Sequence, residues 1–245
     1  MTVAFSAILL AAGEGKRLRP LTNSIPKCLV PINGIPLLDL WIKLLAKQKG
    51  LQRILINTSY LAEKVKQYIA DHENRDILYL YHEPKLLGTA GTLKLLGPEL
   101  SCDHVFIAHA DNLTLFDMEQ FFYSHLKKPK GCEITMMTFK ASDPQSCGIV
   151  ELDEDGVVVA YIEKPKRCIA GDANAAVYFV NQSVIQKIST VQNAFDLSRD
   201  IIPLFVGKIF AWKNTIYHRD IGTPESYKKA QSEYIKISNS ERDNR

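Results

Sequence analysis

The sequence predicts an α/β fold in which helices cover both faces of a largely parallel sheet. Strand-like apolar runs alternate with helix-like runs through the first half of the 245-residue chain. A glycine-containing loop follows the first strand, and strand patterns dominate the second half. This alternation is typical of parallel sheets, whose ligands bind outside the carboxyl ends of the strands.

Seven elements in the order βαβαβαβ are predicted for the first half. They are Ala4–Ala11, Leu37–Lys49, Arg53–Asn57, Ala62–His72, Ile77–Tyr81, Thr89–Leu96 and His104–Ala108. In the second half, strands are predicted at Glu133–Phe139, Gly148–Leu152, Val157–Glu163 and Ala175–Val180, and a helix at Phe195–Leu204. The tail from Ser238 to Arg245 is polar, lacks apolar periodicity and is expected to be frayed.

Composition and charge narrow the class of protein. A net charge of +3 with interspersed signs gives no basis for a nucleic-acid surface. The five cysteines are an odd number without metal-ligand spacing, which fits reduced thiols and a cytoplasmic location. The first apolar run lacks a basic leader, and no apolar stretch reaches the ~18 residues of a membrane span, so we expect no signal peptide and no membrane partner.

The loop after the first strand has the composition of a phosphate site. Gly13 and Gly15 let the backbone approach a ligand, while Lys16, Arg17 and Arg19 supply positive charge. The dinucleotide fingerprint G-x-G-x-x-G fails because leucine stands at its third glycine, and the Walker A pattern does not fit. An ordinary strand-to-helix turn with solvated cations is the alternative.

The segment from Leu10 to Pro31 resembles the signature G-x-G-x-R-L-x-P-L-T-x-x-x-P-K-x-L-x-P of the sugar-1-phosphate nucleotidylyltransferases. The resemblance implies a three-layer, Rossmann-like catalytic domain of the GT-A type over residues 1–237, with a nucleotide-binding half to about residue 130 and a sugar-phosphate half from about 131. It also implies that Arg17 and Lys27 are catalytic. The nucleotide would further contact Leu10, Ala11, Ala12, Gly13, Glu14, Gly15 and Lys16.

Two aspartates follow predicted strands or turns. Asp111 comes after the strand that ends at Ala108, and Asp220 opens an Asp-Ile-Gly-Thr-Pro string. Aspartate is also common as a helix cap or a turn residue, which is the alternative for both positions. The resemblance implies instead that Asp111 is catalytic and that both aspartates hold Mg²⁺, which usually takes one or two protein carboxylates and fills its remaining positions with phosphate and water.

The sugar phosphate is assigned to a second set of residues through the same resemblance. Glu163-Lys164-Pro165 resembles the Glu-Lys-Pro string of the family, and Asn174-Ala-Ala-Val-Tyr178 resembles its sugar-site strand. Alanine stands at position 176, where the family usually has glycine. The residues expected to bind the sugar phosphate are Asn112, Gly148, Glu163, Lys164 and Asn174.

The string Leu-Gly-Thr-Ala-Gly at 87–91 resembles the base-reading loop of the family, so Glu83, Gly88 and Thr89 are expected to contact the base. A carboxylate only accepts hydrogen bonds, and guanine offers two adjacent donors where uracil and thymine offer one. This favours GTP, although some uridylyl-transferring relatives also carry glutamate here.

The motifs are most similar to those of mannose-1-phosphate and heptose-1-phosphate guanylyltransferases. They imply Mg²⁺-dependent transfer of a nucleotidyl group from an NTP, with GTP favoured, to a sugar 1-phosphate. Uridylyl or thymidylyl transfer to another hexose 1-phosphate remains open, as does a catalytically silent regulatory homologue. The sequence permits a homo-oligomer but does not fix the oligomeric state.

Overall fold

The computed structural model describes residues 2–167 and 171–243, with side chains described to Ile237. Cys168 and the last two residues of the polar tail lie outside the described residues. The strands are β1 Phe5–Leu10, β2 Pro31–Ile32, β3 Ile35–Pro36, β4 Leu51–Thr58, β5 Leu78–His82, β6 His104–His109, β7 Asn112–Leu115, β8 Ile134–Phe139, β9 Gly148–Leu152, β10 Val158–Glu163, β11 Asp172–Asn181, β12 Ile209–Lys213 and β13 Tyr217–Asp220. The α-helices are α1 Leu37–Ala46, α2 Ala62–Ala70, α3 Gly88–Leu96, α4 Met118–Leu126, α5 Gln182–Thr190 and α6 Pro224–Asp243.

The main sheet is mixed, with a parallel part built from the first half of the chain. β1 pairs in parallel with β4 and β6, and β4 pairs in parallel with β5. β11 runs antiparallel to β6, β8 and β9, and β10 runs antiparallel to β9. The order along the sheet is β10-β9-β11-β6-β1-β4-β5, with β8 beside β11 and β12 beside β8. The predicted α/β class with a β-rich second half is confirmed.

Side chains of β1 alternate between two apolar clusters, one on each face of the sheet. Phe5, Ala7 and Leu9 belong to the cluster that α1, α2 and α4 cover. Ile8 and Leu10 belong to the opposite cluster, which α3 and α5 cover. Burying one large apolar side chain contributes roughly 1.5–3 kcal/mol. The sheet is therefore the middle of three layers, as the sequence pattern predicts.

A third, smaller apolar cluster joins the glycine loop to the last helix. Leu18, Val30, Leu113, Ile221 and Ala230 are all buried and pack together. They come from the loop after β1, the segment before β2, and then β7, the turn after β13 and α6. Because β7 and β13 also pair with each other, this cluster fixes the polar loops at the carboxyl ends of β1 and β6.

The stretch Phe195–Leu204 folds differently from its sequence-based assignment. It was expected to form one helix, but it forms a π-helical turn at Leu197–Ile201 followed by a 3₁₀ turn at Ile202–Phe205. Pro203 has no backbone N–H to donate and its ring clashes with the preceding turn, so a regular α-helix cannot run through this stretch.

Helix α6 continues to Asp243, which contradicts the prediction that the chain is frayed from Ser238. Its first half is anchored by buried Ala230. Once a helix is nucleated, each added residue contributes a backbone hydrogen bond, so polar residues without apolar periodicity can extend it. No helix in the described part of the chain is long and apolar enough to cross a membrane.

Between α4 and the sheet, a buried histidine is held in its neutral form. The ring nitrogens of His125 lie 3.0 Å from Thr135 Oγ1 and 3.2 Å from His104 Nδ1. Burial, reinforced by the positive charge of Lys128, lowers the pKa of His125 to about 2.

This histidine is expected to make the fold sensitive to acid. The unfolded chain protonates His125 below its ordinary pKa of about 6.5 while the folded protein does not, so its contribution to the free energy of unfolding falls by about 2 kcal/mol between pH 7 and pH 5. His125→Gln should be less stable at pH 7 and should lose about 2 kcal/mol less than the wild type over that interval. Urea denaturation at both pH values measures this, and equal losses would show that His125 carries no such penalty.

Candidate active site

The loop after β1 bends tightly around the stem of a lysine. Gly15 has φ 63°, and a Cβ there would lie 3.0 Å from Lys27 Cβ and 3.0 Å from Thr22 Cγ2. The Thr22 hydroxyl donates to the carbonyl of Gly15 at 2.8 Å. Glycine supplies both the left-handed conformation and the missing side chain, so the loop lies directly on Lys27.

Lys27 lies between the two aspartates singled out by the sequence. Its Nζ is 2.7 Å from Asp111 Oδ2 and 3.3 Å from Asp220 Oδ1, and its side chain is only 7% exposed. Arg17 Nη2 lies 3.5 Å from Asp220 Oδ2. A Cβ on Gly222 would lie 2.7 Å from that guanidinium nitrogen and 2.9 Å from that carboxylate oxygen. Two cations and two carboxylates therefore converge at one point, and Gly222 leaves room for them.

Strand pairing brings the aspartates together. Asp111 follows β6 at the carboxyl end of the parallel strands, and the amide of Ala110 donates to the carbonyl of Leu10 at 3.0 Å. Asp220 ends β13 and pairs in register with Asn112 of β7. Asn112, expected at the sugar phosphate, is thus placed beside both aspartates.

Burial and charge act in opposite directions on this ion cluster. Desolvation alone would lower the pKa of Lys27, but the carboxylates of Asp111 and Asp220 outweigh it and raise that pKa. Desolvation alone would raise the pKa of Asp111, but Lys27 and His109 outweigh it and lower that pKa. Lys27 and Asp111 are therefore both charged near neutral pH.

Two cavities meet at this cluster. The smaller, of about 290 Å³, is lined by the glycine loop, Lys27, Leu86, Asp111 and Gly222. The larger, of about 1120 Å³, lies between residues 139–147, residues 213–220 and α6. Because Arg17 and Gly222 line both, a ligand in either cavity can reach the ion cluster.

The carboxylate pair could hold a magnesium ion only with help from a ligand. Within residues 2–167 and 171–243, no three histidine, cysteine or acidic side chains are grouped as a metal site. Asp111 and Asp220 nevertheless share one cation, the ammonium of Lys27, which lies between them. Two carboxylate oxygens suit Mg²⁺, which commonly completes its octahedral shell with phosphate and water.

Glu14 and Lys16 of the predicted nucleotide site pair with each other. Glu14 Oε2 lies 3.1 Å from Lys16 Nζ and 3.9 Å from Arg19 Nη2. Both side chains line or border the smaller cavity, and the pairing reduces the net positive charge of the loop.

Leu10, Ala11 and Ala12 form the buried floor beneath the loop. The backbone N–H of Ala11 donates to Asn57 Oδ1 at 2.7 Å, so this donor is already used inside the protein.

Glu83, expected to contact the base, is held by hydrogen bonds inside the protein. It follows β5 and is 1% exposed. Its Oε1 accepts from Asn57 Nδ2 at 2.9 Å and from Thr92 Oγ1 at 2.6 Å, and its Oε2 accepts from the backbone N–H of Leu87 at 3.0 Å. The carboxylate is buried and already accepts three hydrogen bonds from the protein, so the expected pairing with guanine stays a prediction.

Gly88 and Thr89 begin α3 beside the predicted base loop. Gly88 has φ +75°, and a Cβ there would lie 2.2 Å from the carbonyl oxygen of Phe195. The hydroxyl of Thr89 accepts from the backbone N–H of Leu197 at 2.6 Å. Both residues thus attach the start of α3 to the π-helical turn.

The predicted sugar-phosphate residues Gly148, Glu163, Lys164 and Asn174 lie together on or beside β9, β10 and β11. Gly148 and Glu163 are paired in register, and a Cβ on Gly148 would lie 2.1 Å from the hydroxyl oxygen of Tyr161. That hydroxyl donates to Glu163 Oε2 at 2.5 Å. Glycine is required at position 148 because the tyrosine occupies the space of its side chain.

Asn174 shapes this part of the site from inside the sheet. Its Nδ2 donates to the hydroxyl of Tyr178 at 2.7 Å, and its Oδ1 accepts from the backbone N–H of Ala176 at 2.9 Å. Ala176 has φ 54°, at a register shift between β11 and β8. This left-handed bulge explains the usual glycine here, and the chain accommodates alanine at a conformational cost of about 1 kcal/mol.

Lys164 also has a left-handed backbone, with φ 48°. Its side chain is 66% exposed and its Nζ is 3.9 Å from Glu163 Oε1. Strained residues often occur where a ligand is held, and this ammonium is free to move toward an anion.

Sequence reasoning missed several residues that build the site. Asn57 and Thr92 surround Glu83, while Tyr161 and Tyr178 support the sugar-phosphate residues. His109, two residues before Asp111, carries a buried Nε2 without a hydrogen-bond partner among the described residues. The local signals were weak: Asn57, Tyr161 and Tyr178 lie on predicted strands, and Thr92 lies on a predicted helix.

Comparison with known proteins identifies the family of the chain. Residues 6–237 match the family model described as nucleotidyl transferase. The chain belongs to the nucleotidyl transferase family. It is 30% identical over 236 residues to mannose-1-phosphate guanylyltransferase catalytic subunit beta of Drosophila pseudoobscura pseudoobscura. This alignment covers 94% of this chain and 62% of that protein. It is 28% identical to mannose-1-phosphate guanylyltransferase of Mycobacterium tuberculosis, covering 94% of this chain and 64% of that protein.

The chain therefore spans a little over three fifths of the length of these curated relatives. Among solved structures, HddC from Yersinia pseudotuberculosis complexed with GMP-PN matches with a TM-score of 0.76 and 27% identity, covering 94% of this chain and 99% of that one. A putative glucose-1-phosphate thymidylyltransferase from Bacillus anthracis matches with a TM-score of 0.81 at 20% identity, covering 94% of each chain, and shows the shared nucleotidyl transferase fold.

Replacing Lys27 with methionine should strengthen the binding of Mn²⁺ in the absence of nucleotide. The variant keeps an apolar stem but removes the cation that lies between Asp111 and Asp220, and a divalent ion in its place relieves their repulsion. We expect roughly tenfold tighter binding, the effect of about 1.4 kcal/mol. Titration calorimetry measures it, with Lys16→Met as the control from the same loop. Unchanged or weaker binding would show that the two carboxylates do not form one cation site.

Proposed function

We propose that this chain transfers a nucleotidyl group from an NTP to a sugar 1-phosphate and releases pyrophosphate. The observation that carries the proposal is the contact of Lys27 with both Asp111 and Asp220, beside Arg17 and the glycine loop. Family membership supports it. The guanylyltransferase names of the relatives, together with HddC complexed with GMP-PN, favour GTP as donor and mannose or heptose 1-phosphate as acceptor.

The reaction depends on stabilising the negative charge of the two substrates more than on proton transfer. The phosphate of the acceptor has a second pKa of about 6 and is mostly dianionic at neutral pH, so its oxygen attacks the α-phosphorus without a general base. Repulsion between two polyanions opposes the reaction. The protein must therefore align them and spread their charge.

The cations divide this work according to their placement. Arg17 and the amides of the glycine loop bind the triphosphate, and Arg17 stabilises the leaving pyrophosphate. Lys27, buried behind the loop, bridges the α-phosphate and the incoming phosphate. Lys164 reaches the sugar phosphate with its exposed side chain. Asp111 and Asp220 would hold Mg²⁺, which when bound supplies Lewis-acid polarisation of the α-phosphate.

A matrix of substrates tests the proposal. Each of GTP, ATP, UTP, CTP and dTTP is combined with mannose, glucose, galactose and heptose 1-phosphates, and release of pyrophosphate is measured. We expect the highest kcat/KM with GTP and mannose or heptose 1-phosphate. A preference for UTP or dTTP would overturn the choice of base while leaving nucleotidyl transfer intact. Nucleotide-sugar binding without turnover in any pair would indicate a catalytically silent homologue.

Asp111→Asn and Asp220→Asn should each lower kcat at least a hundredfold while the fold persists. Preorganised electrostatic contacts to the reacting phosphates are typically worth about 3–4 kcal/mol. Asp155→Asn, which removes an equal charge from the exposed turn between β9 and β10, is the matched control. Pyrophosphate release at saturating Mg²⁺ and thermal unfolding are measured together. Near wild-type kcat in either variant would remove that residue from the catalytic site.

A further inference from the structure

Tyr161 contacts several of the residues expected at the sugar phosphate, although it belongs to none of the sequence motifs. It lies on β10 two residues before Glu163, so the two side chains share one face of the sheet. Its hydroxyl donates to Glu163 Oε2 at 2.5 Å and lies 3.5 Å from Asn174 Nδ2. The same hydroxyl takes the space of a side chain at Gly148. Residues of β9, β10 and β11 therefore meet at this one oxygen.

The missing side chain of Gly148 makes room for this hydrogen bond. A Cβ there would lie 2.1 Å from the hydroxyl oxygen of Tyr161 and 2.8 Å from Glu163 Oε2. Burial, the neighbouring Tyr178 and the bond to Glu163 raise the pKa of the Tyr161 hydroxyl, so it stays protonated and donates. Hydrogen bonds to an ionised acceptor are shorter and stronger than those between neutral groups. The carboxylate is thus held from one side by a donor that belongs to the sheet.

Lys164, the next residue along the chain, is a competing partner for the same carboxylate. Its Nζ lies 3.9 Å from Glu163 Oε1, which is longer than a hydrogen bond. An ammonium and a carboxylate that are both free to turn can close to about 2.8 Å. The lysine side chain is 66% exposed and the glutamate side chain 24% exposed, so the ammonium has the greater freedom to move. The bond from Tyr161 to Oε2 is the contact that restrains Glu163 against this pairing.

We propose that Tyr161 is a positioning residue for the acceptor: its hydroxyl holds the Glu163 carboxylate toward the sugar hydroxyls and apart from Lys164, which stays free for the phosphate. The inference rests on the proposed transfer to a sugar 1-phosphate. A carboxylate oxygen can accept more than one hydrogen bond, so sugar hydroxyls can bind Glu163 without displacing the tyrosine. One buried donor thereby separates recognition of the sugar ring from recognition of its phosphate.

The first measurement needs no substrate. Tyr161→Phe removes the hydroxyl and keeps the ring, and crystal structures of the ligand-free variant and wild type are compared. We expect the carboxylate of Glu163 in the variant to turn and pair with Lys164 Nζ at about 2.8 Å. Tyr123→Phe, which removes the hydroxyl of an exposed tyrosine on α4, is the matched control and should leave Glu163 in its wild-type position. A carboxylate that also stays in place in Tyr161→Phe would overturn the proposal.

The second measurement is equilibrium binding by titration calorimetry, with mannose 1-phosphate or whichever sugar 1-phosphate binds the wild type most tightly. Positioning predicts that Tyr161→Phe binds this acceptor roughly tenfold more weakly, the effect of disturbing one hydrogen bond to a charged group, and binds GTP as the wild type does. Glu163→Gln should also weaken the acceptor. Because Tyr161 acts through Glu163, adding Tyr161→Phe to Glu163→Gln should change the affinity by less than about threefold.

A tyrosine that only stabilises the fold would give a different pattern. Its loss would weaken acceptor binding by the same factor with and without Glu163→Gln. That result, or wild-type acceptor affinity in Tyr161→Phe, would overturn the proposal and leave the proposed function intact. If the wild type bound no sugar 1-phosphate, the proposed function would be wrong, and the distance between Glu163 and Lys164 in the variant would still decide whether Tyr161 holds the carboxylate.

Discussion

The ammonium of Lys27 between the carboxylates of Asp111 and Asp220 is the contact on which the arrangement of the site depends. Without a cation at this point, two negative side chains from distant parts of the chain would repel each other at the end of β13. With it, the loop after β1, the end of β6 and the end of β13 meet at one place. The side chain of Lys27 is 7% exposed, so water screens this attraction little.

Apolar packing beside the ion cluster offsets the free-energy cost of burying its charges. The cluster of Leu18, Leu113, Ile221 and their neighbours joins the same three loops a few residues away from the charges. The pairing of β7 with β13 sets Asp220 opposite Asn112, one residue from Asp111. Desolvation opposes the burial of charged groups. The ion pairs stay buried here because the loops that carry them cannot separate without exposing apolar surface.

Local patterns in the sequence were sufficient to predict the central strands and the rim on which the site lies. β1, β4, β5 and β6 are apolar runs of strand length, and residues that follow parallel strands meet at one edge. β7 and β13 were not predicted, because each is only four residues long and contains mixed polar and apolar residues. Helices α4 and α5 and strand β12 were also left unassigned.

Buried polar contacts were the other feature that the sequence could not supply. The motif around Leu87 identifies Glu83, but its orientation depends on Asn57 from β4 and Thr92 from α3. These partners are distant or on the far side of a turn, and no periodicity marks them. The same holds for Tyr161 against Gly148, where the strand pairing of β9 and β10 decides what fills the space.

Three carboxylates near the site have different surroundings, and their roles differ accordingly. Glu14 is partly exposed and faces exposed cations of its own loop, so its ion pairs contribute little to stability. Glu83 is buried and accepts from neutral donors on β4, α3 and the loop that precedes α3. Asp111 is held by an ammonium on a flexible stem. That ammonium can move toward a phosphate and leave its place beside Asp111 to another cation, so this carboxylate suits a site where charged groups are exchanged.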